Sequence, residues 1–290
     1  MRRDDVRVCI LRIEGTNCEQ ELWQCFRRIG AKPEIVHLNQ LTSSGIPVKL
    51  RRKLSDYHIL MIPGGFSAGD YVRAGAIWAA RIKSRMKKDI ARFIEEGRAV
   101  GGVCNGFQVL VELGIVPGIG GSVMSDEPQA VLSINDSSRF ECRPTYLKMI
   151  NNGKCIFTRA IPKGRILNIP SAHAEGKLIF QMGHEKKILE HLIENDQIVF
   201  RYVDPDGNMP EYPWNPNGAC YDIAGMCNET GNAFGMMPHP ERVYYRYQHP
   251  DWTREIHDER GITDAPVAVD AAGDGMLVFK SVMDYITRMF

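Results

Sequence analysis

A cysteine lies between two glycines in the segment Gly102-Val103-Cys104-Asn105-Gly106. An apolar run precedes it and a helix-like run, 107–113, follows, which predicts a strand, a sharp turn and a helix with a thiol at the apex. The two glycines permit a cramped turn. Free N–H groups at a helix N-terminus favour the thiolate, the reactive form of cysteine. Cys104 is therefore a candidate nucleophile.

A second segment, Pro238-His239-Pro240-Glu241-Arg242, supplies the other groups that such a nucleophile needs. It contains a histidine and, two residues later, a carboxylate that can orient the imidazole ring. Each segment by itself is an ordinary loop pattern. Their occurrence in one chain predicts nucleophilic catalysis by a Cys104–His239–Glu241 triad.

The other histidines and cysteines give weaker signals. The segment 169–176 holds a second pair, His173 and Glu175, and we expect an exposed, structural histidine there, with partner contact as the alternative. The chain has no Cys-x-x-Cys pair, so we expect no zinc ribbon and no other metal site. Six cysteines are best interpreted as small buried residues: Cys9, Cys25, Cys142, Cys155, Cys220 and Cys227.

The composition limits the class of protein. The 290 residues are 44% hydrophobic and 24% charged, which is ordinary for a globular protein. A net charge of +1 argues against broad nucleic-acid binding. No apolar run reaches membrane-spanning length, and the charged N-terminus does not resemble a secretory signal. We therefore expect a cytoplasmic protein with reduced thiols.

Strand-like and helix-like runs alternate in the first part of the chain. Strands are predicted at 6–13, 33–38, 57–62 and 99–103, and helices at 21–29, capped by Thr16 or Asn17, and at 79–96. This alternation predicts a parallel sheet covered by helices on both faces. Ligands of such sheets bind beyond the carboxyl ends of the strands, where Gly64, Gly65 and Cys104 fall.

The pattern becomes β-rich after about residue 120. Strands are predicted at 130–134, 140–149, 176–181 and 198–203, and a hairpin joins 219–227 to 233–237. We expect this half to return His239 to Cys104. An irregular, aromatic insert follows at 243–274, either a subunit interface or a loop packed on its own domain, and an amphipathic helix at 275–289 ends the chain. We expect one domain over 1–290.

Loops next to the predicted elbow could complete a site for acyl chemistry. The backbone N–H of Asn105 and the turn at Gly64 and Gly65 are candidate donors to an oxyanion. Gln108 lies one helical turn after the thiol, and it either contacts a polar substrate or caps a neighbouring backbone group. The glycine-bearing loop 66–75 is a candidate pocket rim. The chain has no Gly-x-x-x-x-Gly-Lys-Ser/Thr phosphate loop, so we expect no ATP site of its own.

Several longer strings together resemble class I, triad-type glutamine amidotransferases. They resemble more narrowly the family of glutaminase subunits of phosphoribosylformylglycinamidine synthase. The resemblance rests on 63–76, 104–108, 139–143 and 235–242, supported by 217–218 and 223–225. It covers about 6–243 and the C-terminal helix. It implies an α/β, flavodoxin-like amidotransferase fold with a mostly parallel sheet flanked by helices.

The resemblance also implies roles for the residues. Cys104 attacks the side-chain amide of L-glutamine, His239 transfers protons and Glu241 orients His239. The N–H groups of Gly65 and Asn105 form the oxyanion hole, and the other residues expected at the oxyanion hole or the substrate are Gly64, Phe66 and Gln108.

The same resemblance implies partners rather than cofactors in this chain. A separate synthetase subunit is expected to bind ATP, Mg and formylglycinamide ribonucleotide, and to use the ammonia to make formylglycinamidine ribonucleotide in purine synthesis. A small third subunit is expected to join the complex. Two alternatives from other classes remain at this point: a thiol-elbow peptidase, chaperone or isomerase on the same fold, and a non-catalytic regulatory module.

Overall fold

Strands and helices alternate in the first part of the chain, as predicted. The computed structural model describes residues 1–43, 45–121, 123–253 and 271–290. The elements of the first part are β1 (Arg7–Arg12), α1 (Glu19–Arg28), β2 (Lys32–His37), α2 (Leu38–Thr42), β3 (Ile59–Ile62), α3 (Ala76–Glu95), β4 (Ala99–Val103) and α4 (Asn105–Glu112).

The second part is rich in strands and ends in a helix. Its elements are β5 (Ala130–Ile134), β6 (Glu141–Met149), β7 (Ile166–His173), β8 (Glu175–Phe180), α5 (Glu185–Glu194), β9 (Ile198–Val203), β10 (Ile223–Cys227), β11 (Ala233–Met236) and α6 (Met276–Met289). Within the described ranges, none of the helices combines the length and apolar composition that a membrane crossing requires.

The main sheet has nine strands in the order β2-β1-β3-β4-β11-β10-β9-β6-β7. The five strands from β2 to β11 are mutually parallel, and the four from β10 to β7 extend the sheet with antiparallel pairs. Strands β5 and β8 form a separate antiparallel pair. The expected α/β fold with a parallel half and a β-rich second half is confirmed.

Parallel pairing of β4 with β11 brings the two predicted catalytic segments to one edge of the sheet. Val103 pairs with Met236, the last residue of β11, and the Cys104 N–H donates to the Met236 carbonyl at 2.8 Å. Because the strands are parallel, the chain leaves both of them at the same edge. Strand β3 pairs with β4 on the other side, with Ile62 opposite Gly102, so the Pro63-Gly64-Gly65 turn reaches that edge too.

The turn after β4 depends on two glycines. A Cβ at position 106 would lie 1.9 Å from the Ile62 carbonyl oxygen, and one at position 102 would lie 2.5 Å from the Gly106 oxygen. Only backbones without side chains can approach this closely. The first turn of α4 therefore packs directly on β3 and β4, and every residue of α4 is buried.

Several local expectations differ from the structure. Helix α1 begins after Cys18 rather than at a Thr16 or Asn17 cap, and no side chain caps it. Strand β7 and helix α5 are absent from the predicted elements. Strand β7 lies at the sheet edge and contains Pro170, which weakens a strand signal. In α5 only Ile188 and Leu192 are buried, so its apolar stripe is narrow.

The buried position expected for six cysteines is wrong for two of them. Cys142 is exposed and Cys220 is half-buried. Cys142 follows the buried Glu141 on β6, and alternation along a strand turns it to the other face of the sheet. The remaining four are buried as expected: Cys9, Cys25, Cys155 and Cys227.

The predicted aromatic insert, 243–274, lies partly outside the described residues, which exclude 254–270. In the described portion, Tyr244 is buried and stands 6.0 Å, ring to ring, from Phe279 of α6. Tyr245 accepts a hydrogen bond from Arg28 of α1 and stacks on Tyr247 at 5.5 Å. These contacts favour, for residues 243–253, a loop packed on its own domain.

We predict that Gly106→Ala destabilises the protein by about 3 kcal/mol or more, because the new methyl group has no room beside the Ile62 carbonyl. Gly153→Ala is the control, since a Cβ there meets nothing within 4 Å and the cost is limited to about 1 kcal/mol of backbone strain. Urea unfolding of both variants measures the difference. Equal destabilisation of the two would contradict the role given to Gly106.

Candidate active site

Cys104 stands at the apex of the turn between β4 and α4 in a strained backbone conformation. Its φ is 51° and its ψ is −109°, which a residue with a side chain rarely adopts. The Cys104 carbonyl accepts from the N–H groups of Phe107 and Gln108, so α4 begins immediately after the cysteine. The strand–elbow–helix geometry expected from the sequence is present. Its sulfur lies 3.7 Å from the Ala172 carbonyl oxygen of β7.

His239 and Glu241 form a buried hydrogen-bonded pair next to this elbow. Nδ1 of His239 lies 2.7 Å from Oε1 of Glu241, and the two side chains are 1% and 0% exposed. The His239 backbone N–H donates to the Pro170 carbonyl at 2.8 Å, which holds the segment against β7. Because Nδ1 bonds to Glu241, the second ring nitrogen, Nε2, is left to face the sulfurs of Cys104 and Cys18.

The thiol and the imidazole meet around Gly64. A Cβ at position 64 would lie 2.9 Å from Cε1 of His239 and 3.4 Å from Cβ of Cys104. Burial lowers the pKa of His239, but the Glu241 carboxylate and then the Cys104 sulfur outweigh it, so this pKa is well above its ordinary value. The raised pKa stabilises the imidazolium form of the ring next to the thiol.

Two backbone N–H groups close to Cys104 in the chain or in the cavity wall have no acceptor within the described chain. The Asn105 N–H belongs to the first turn of α4, and within the described chain neither it nor the Gly65 N–H donates to any acceptor. Gly65 has φ 139°, and a Cβ there would lie 2.3 Å from Oδ1 of Asn17, so only glycine fits. The Phe66 N–H, by contrast, donates to the Gly15 carbonyl at 2.9 Å, and the Phe66 side chain stands half-exposed at the pocket rim.

The side chains of Asn105 and Gln108 are engaged by the protein itself. Oδ1 of Asn105 accepts from the Ser67 N–H at 3.3 Å, and its amide donates to Oε1 of Gln108 at 2.8 Å. The Gln108 amide donates to the Glu175 carbonyl. Of the two alternatives for Gln108, the backbone contact is present, and the same residue also lines the pocket. The network ties the 66–75 loop, α4 and β8 together.

A small cavity of about 130 Å³ opens beside the cysteine. Its wall includes Asp70 and Ala74 from the 66–75 loop, so this loop forms part of the rim. Burial, and then the neighbouring Glu175 carboxylate, raise the pKa of Asp70 to about 6, against the N–H of Gly75. Two exposed aromatic side chains also line the cavity: Phe66 is 52% exposed and Phe140 55%.

Cys18 is a site residue that the sequence interpretation did not identify. Its sulfur lies 3.3 Å from Nη2 of Arg242 and lines the cavity. The available signal was its position just after β1, at the same sheet edge as Cys104.

The ligand atoms of Cys18, His239 and Glu241 lie within 4.8 Å of one another, as in a metal site. The Arg242 cation and the Glu241–His239 bond both oppose metal binding there.

His173 is buried rather than exposed, so the expectation for this residue was wrong. It is 3% exposed and lines the cavity. Burial, and then His239, lower its pKa to about 3, so the ring is neutral. Strand β7 carries it inward beneath the β7–β8 turn, where Asn217 donates to its Nε2 at 3.2 Å.

Comparisons with known proteins agree with this geometry. The model of the CobB/CobQ-like glutamine amidotransferase domain matches residues 5–286. A protein of Archaeoglobus fulgidus named phosphoribosylformylglycinamidine synthase subunit PurQ is 48% identical over 100% of both chains. The PurQ subunit of Picrophilus torridus is 47% identical over 84% of this chain and 90% of its own. The chain belongs to the glutamine amidotransferases of the PurQ family.

A solved structure supports the same assignment. A chain in the structure of PurLQS from Thermotoga maritima is 29% identical, with a TM-score of 0.69 over 97% of this chain and 99% of that one. The protein is thus an enzyme that uses glutamine as nitrogen donor, the glutaminase subunit of phosphoribosylformylglycinamidine synthase. Family membership decides against the peptidase, isomerase and non-catalytic alternatives.

We predict that Gly64→Ala lowers kcat for glutamine hydrolysis by about 100-fold, because the methyl group displaces the His239 ring from the thiol. Gly183→Ala is the control, since a Cβ there meets nothing within 4 Å and adds only the backbone strain of a positive φ of 79°, far from the thiol. Steady-state glutamate release measures kcat, and thermal unfolding shows whether both variants fold. Wild-type kcat in Gly64→Ala would mean that this close approach of imidazole and thiol is not needed.

Proposed function

We propose that Cys104, His239 and Glu241 hydrolyse glutamine through a covalent thioester. The Cys104 thiolate attacks the side-chain amide carbon, and the carbonyl π electrons move to oxygen. Protonated His239 gives its proton to the amide nitrogen, the C–N bond breaks and ammonia leaves. The buried His239–Glu241 hydrogen bond of 2.7 Å is the observation that carries this proposal, because it fixes which ring nitrogen faces the reaction.

Water completes the cycle in the second half of the reaction. His239, now neutral, takes a proton from water as the oxygen attacks the thioester carbon. The C–S bond then breaks, glutamate leaves, and the thiolate and imidazolium are restored. Glutamine and water are thereby converted to glutamate and ammonia with no net change in the enzyme.

The backbone donors act on the oxyanion that forms in both halves. We propose that the N–H groups of Gly65 and Asn105 bind it, because both are unengaged within the described chain. Removing one such donor in other enzymes costs about 10²–10³ in kcat. The strained Cys104 backbone sets this residue in the wall of the cavity that Gly65 also lines.

We propose that the ammonia passes directly to a synthetase subunit docked over the pocket. The similar Thermotoga chain comes from the structure of PurLQS, which supports a complex of this subunit with a synthetase and a small third subunit. The exposed aromatic side chains that line the cavity suit a protein partner. ATP and Mg would bind to the synthetase, and formylglycinamidine ribonucleotide would be its product. We place this complex in the cytoplasm and the whole chain, 1–290, in one functional unit.

The central test replaces the nucleophile. Cys104→Ala should lower glutamine-dependent synthesis by the reconstituted complex at least about 10⁴-fold, because no thioester can form. Ammonia-dependent synthesis should be unchanged, and glutaminase activity of the wild type should rise when the synthetase is added. Cys142→Ala, an exposed thiol, is the control. Glutamine turnover that survives in Cys104→Ala would refute the mechanism.

A second test uses the pKa of His239. Because Glu241 raises that pKa, Glu241→Gln lowers it, and the proton for the leaving ammonia is lost at a lower pH. In a plot of kcat against pH, the fall at alkaline pH should move to lower pH. The maximal kcat should fall by about 10²–10⁴. Glu229→Gln is a matched control, since Glu229 pairs with His191 at 2.9 Å in a partly exposed site. An unmoved fall at alkaline pH would show that Glu241 does not act through His239.

A further inference from the structure

Two carboxylates stand side by side on the cavity wall away from the triad. Oε2 of Glu175 accepts from the Ala74 N–H at 3.0 Å, and the Asp70 carboxylate accepts from the N–H of the next residue, Gly75. Consecutive Cα atoms are about 3.8 Å apart, so two carboxylates anchored on consecutive amides must be neighbours. Both residues line the cavity that contains Cys104.

No cation among the described residues contacts this pair directly, and Arg73, which attracts Glu175 from further away, is bonded to another carboxylate. Neither carboxylate has a Lys or Arg nitrogen within 4.0 Å among the described residues, and Oδ1 of Asp70 is buried without a hydrogen-bond partner. Arg73, the neighbouring cation, is held by Glu112 through two hydrogen bonds of 2.6 Å. Like charges in a half-buried site repel, and a cationic ligand between them would relieve the repulsion.

An unpartnered N–H of His173 is a second, independent indication that a polar ligand binds to this wall. Oδ1 of Asn217 accepts from the Ala219 N–H at 3.0 Å, so the Asn217 amide faces Nε2 of His173 as a donor. The neutral ring therefore carries its proton on Nδ1. That N–H is buried and has no partner within the described chain, and the opposite edge of the ring is packed against Gly176.

Glutamine presents the cation that such a wall would bind. Its amide carbon must reach Cys104, and its α-ammonium group lies four bonds further along the molecule. The cavity of about 130 Å³ is small, and Cys104, Asp70 and Glu175 all line it. We propose that Asp70 and Glu175 together bind the α-ammonium group of glutamine and thereby select α-amino amides over simple amides. This inference rests on the proposed glutaminase function.

The test compares two amides in the reconstituted complex. Glutaramate keeps the amide, the carbon chain and the carboxylate of glutamine but lacks the α-amino group. In Asp70→Asn and in Glu175→Gln, kcat/KM for glutamine should fall about 10- to 100-fold, mainly through KM, because a hydrogen-bonded charge contact is lost. For glutaramate it should stay within about two-fold of wild type. The Asp126→Asn control changes a surface carboxylate that pairs with Lys87, and it should alter neither substrate.

Each outcome decides the inference. A selective loss for glutamine supports it, whereas an unchanged ratio, or an equal loss for both substrates, overturns it. Alkylation of Cys104 by iodoacetamide, which has no amino group, should proceed at the wild-type rate in both variants and reports whether the elbow is intact. Failure of the glutaminase function would appear separately, as glutamine turnover that persists in Cys104→Ala.

Discussion

The site depends on the parallel pairing of β4 with β11. The register that sets Val103 against Met236, together with the hydrogen bond from the Cys104 N–H to the Met236 carbonyl, fixes Cys104 relative to the chain that leads to His239. A shift of one residue in this pairing would turn the side chains of a strand to the other face of the sheet. The His239 N–H donates to the Pro170 carbonyl of β7, so the antiparallel half of the sheet holds His239 in place.

Close backbone approach is the second constraint on this arrangement. Gly102 and Gly106 let α4 rest on β3 and β4, and Gly64 leaves room for the thiol and the imidazole to meet. At each of these positions a methyl group would contact backbone or catalytic atoms at 2.9 Å or less. The residues without side chains therefore shape the site as much as the reactive residues do, since the elbow can form only where they occur.

Electrostatics divides the pocket into two ends. At the Cys104 end, the buried Glu241 carboxylate raises the pKa of His239 and stabilises the imidazolium. On another part of the wall, Asp70 and Glu175 repel each other, and burial together with this repulsion raises the pKa of Asp70 to about 6. The His239 cation thus has a carboxylate partner inside the protein, whereas the Asp70–Glu175 pair has no cation in direct contact among the described residues.

The amino-acid sequence by itself determined the elbow, the parallel half of the sheet, the β10–β11 hairpin and the Cys104–His239–Glu241 set. Local patterns predict these features: glycine spacing, apolar runs, turn residues and a histidine two residues before a carboxylate. Strand β7 was missed because an edge strand with a proline carries little periodic signal, and α5 because its apolar stripe is narrow.

Only the tertiary structure decided which other residues join the site. Cys18, Asp70 and the segment that carries both His173 and Glu175 lie far apart in the chain, and no local spacing indicates that they line one cavity with Cys104. Burial also reversed the expectation for His173, whose environment depends on Asn217 and Gly176. The distances between residues far apart in the chain, and their burial, depend on packing of the whole chain. Local sequence patterns therefore do not predict them.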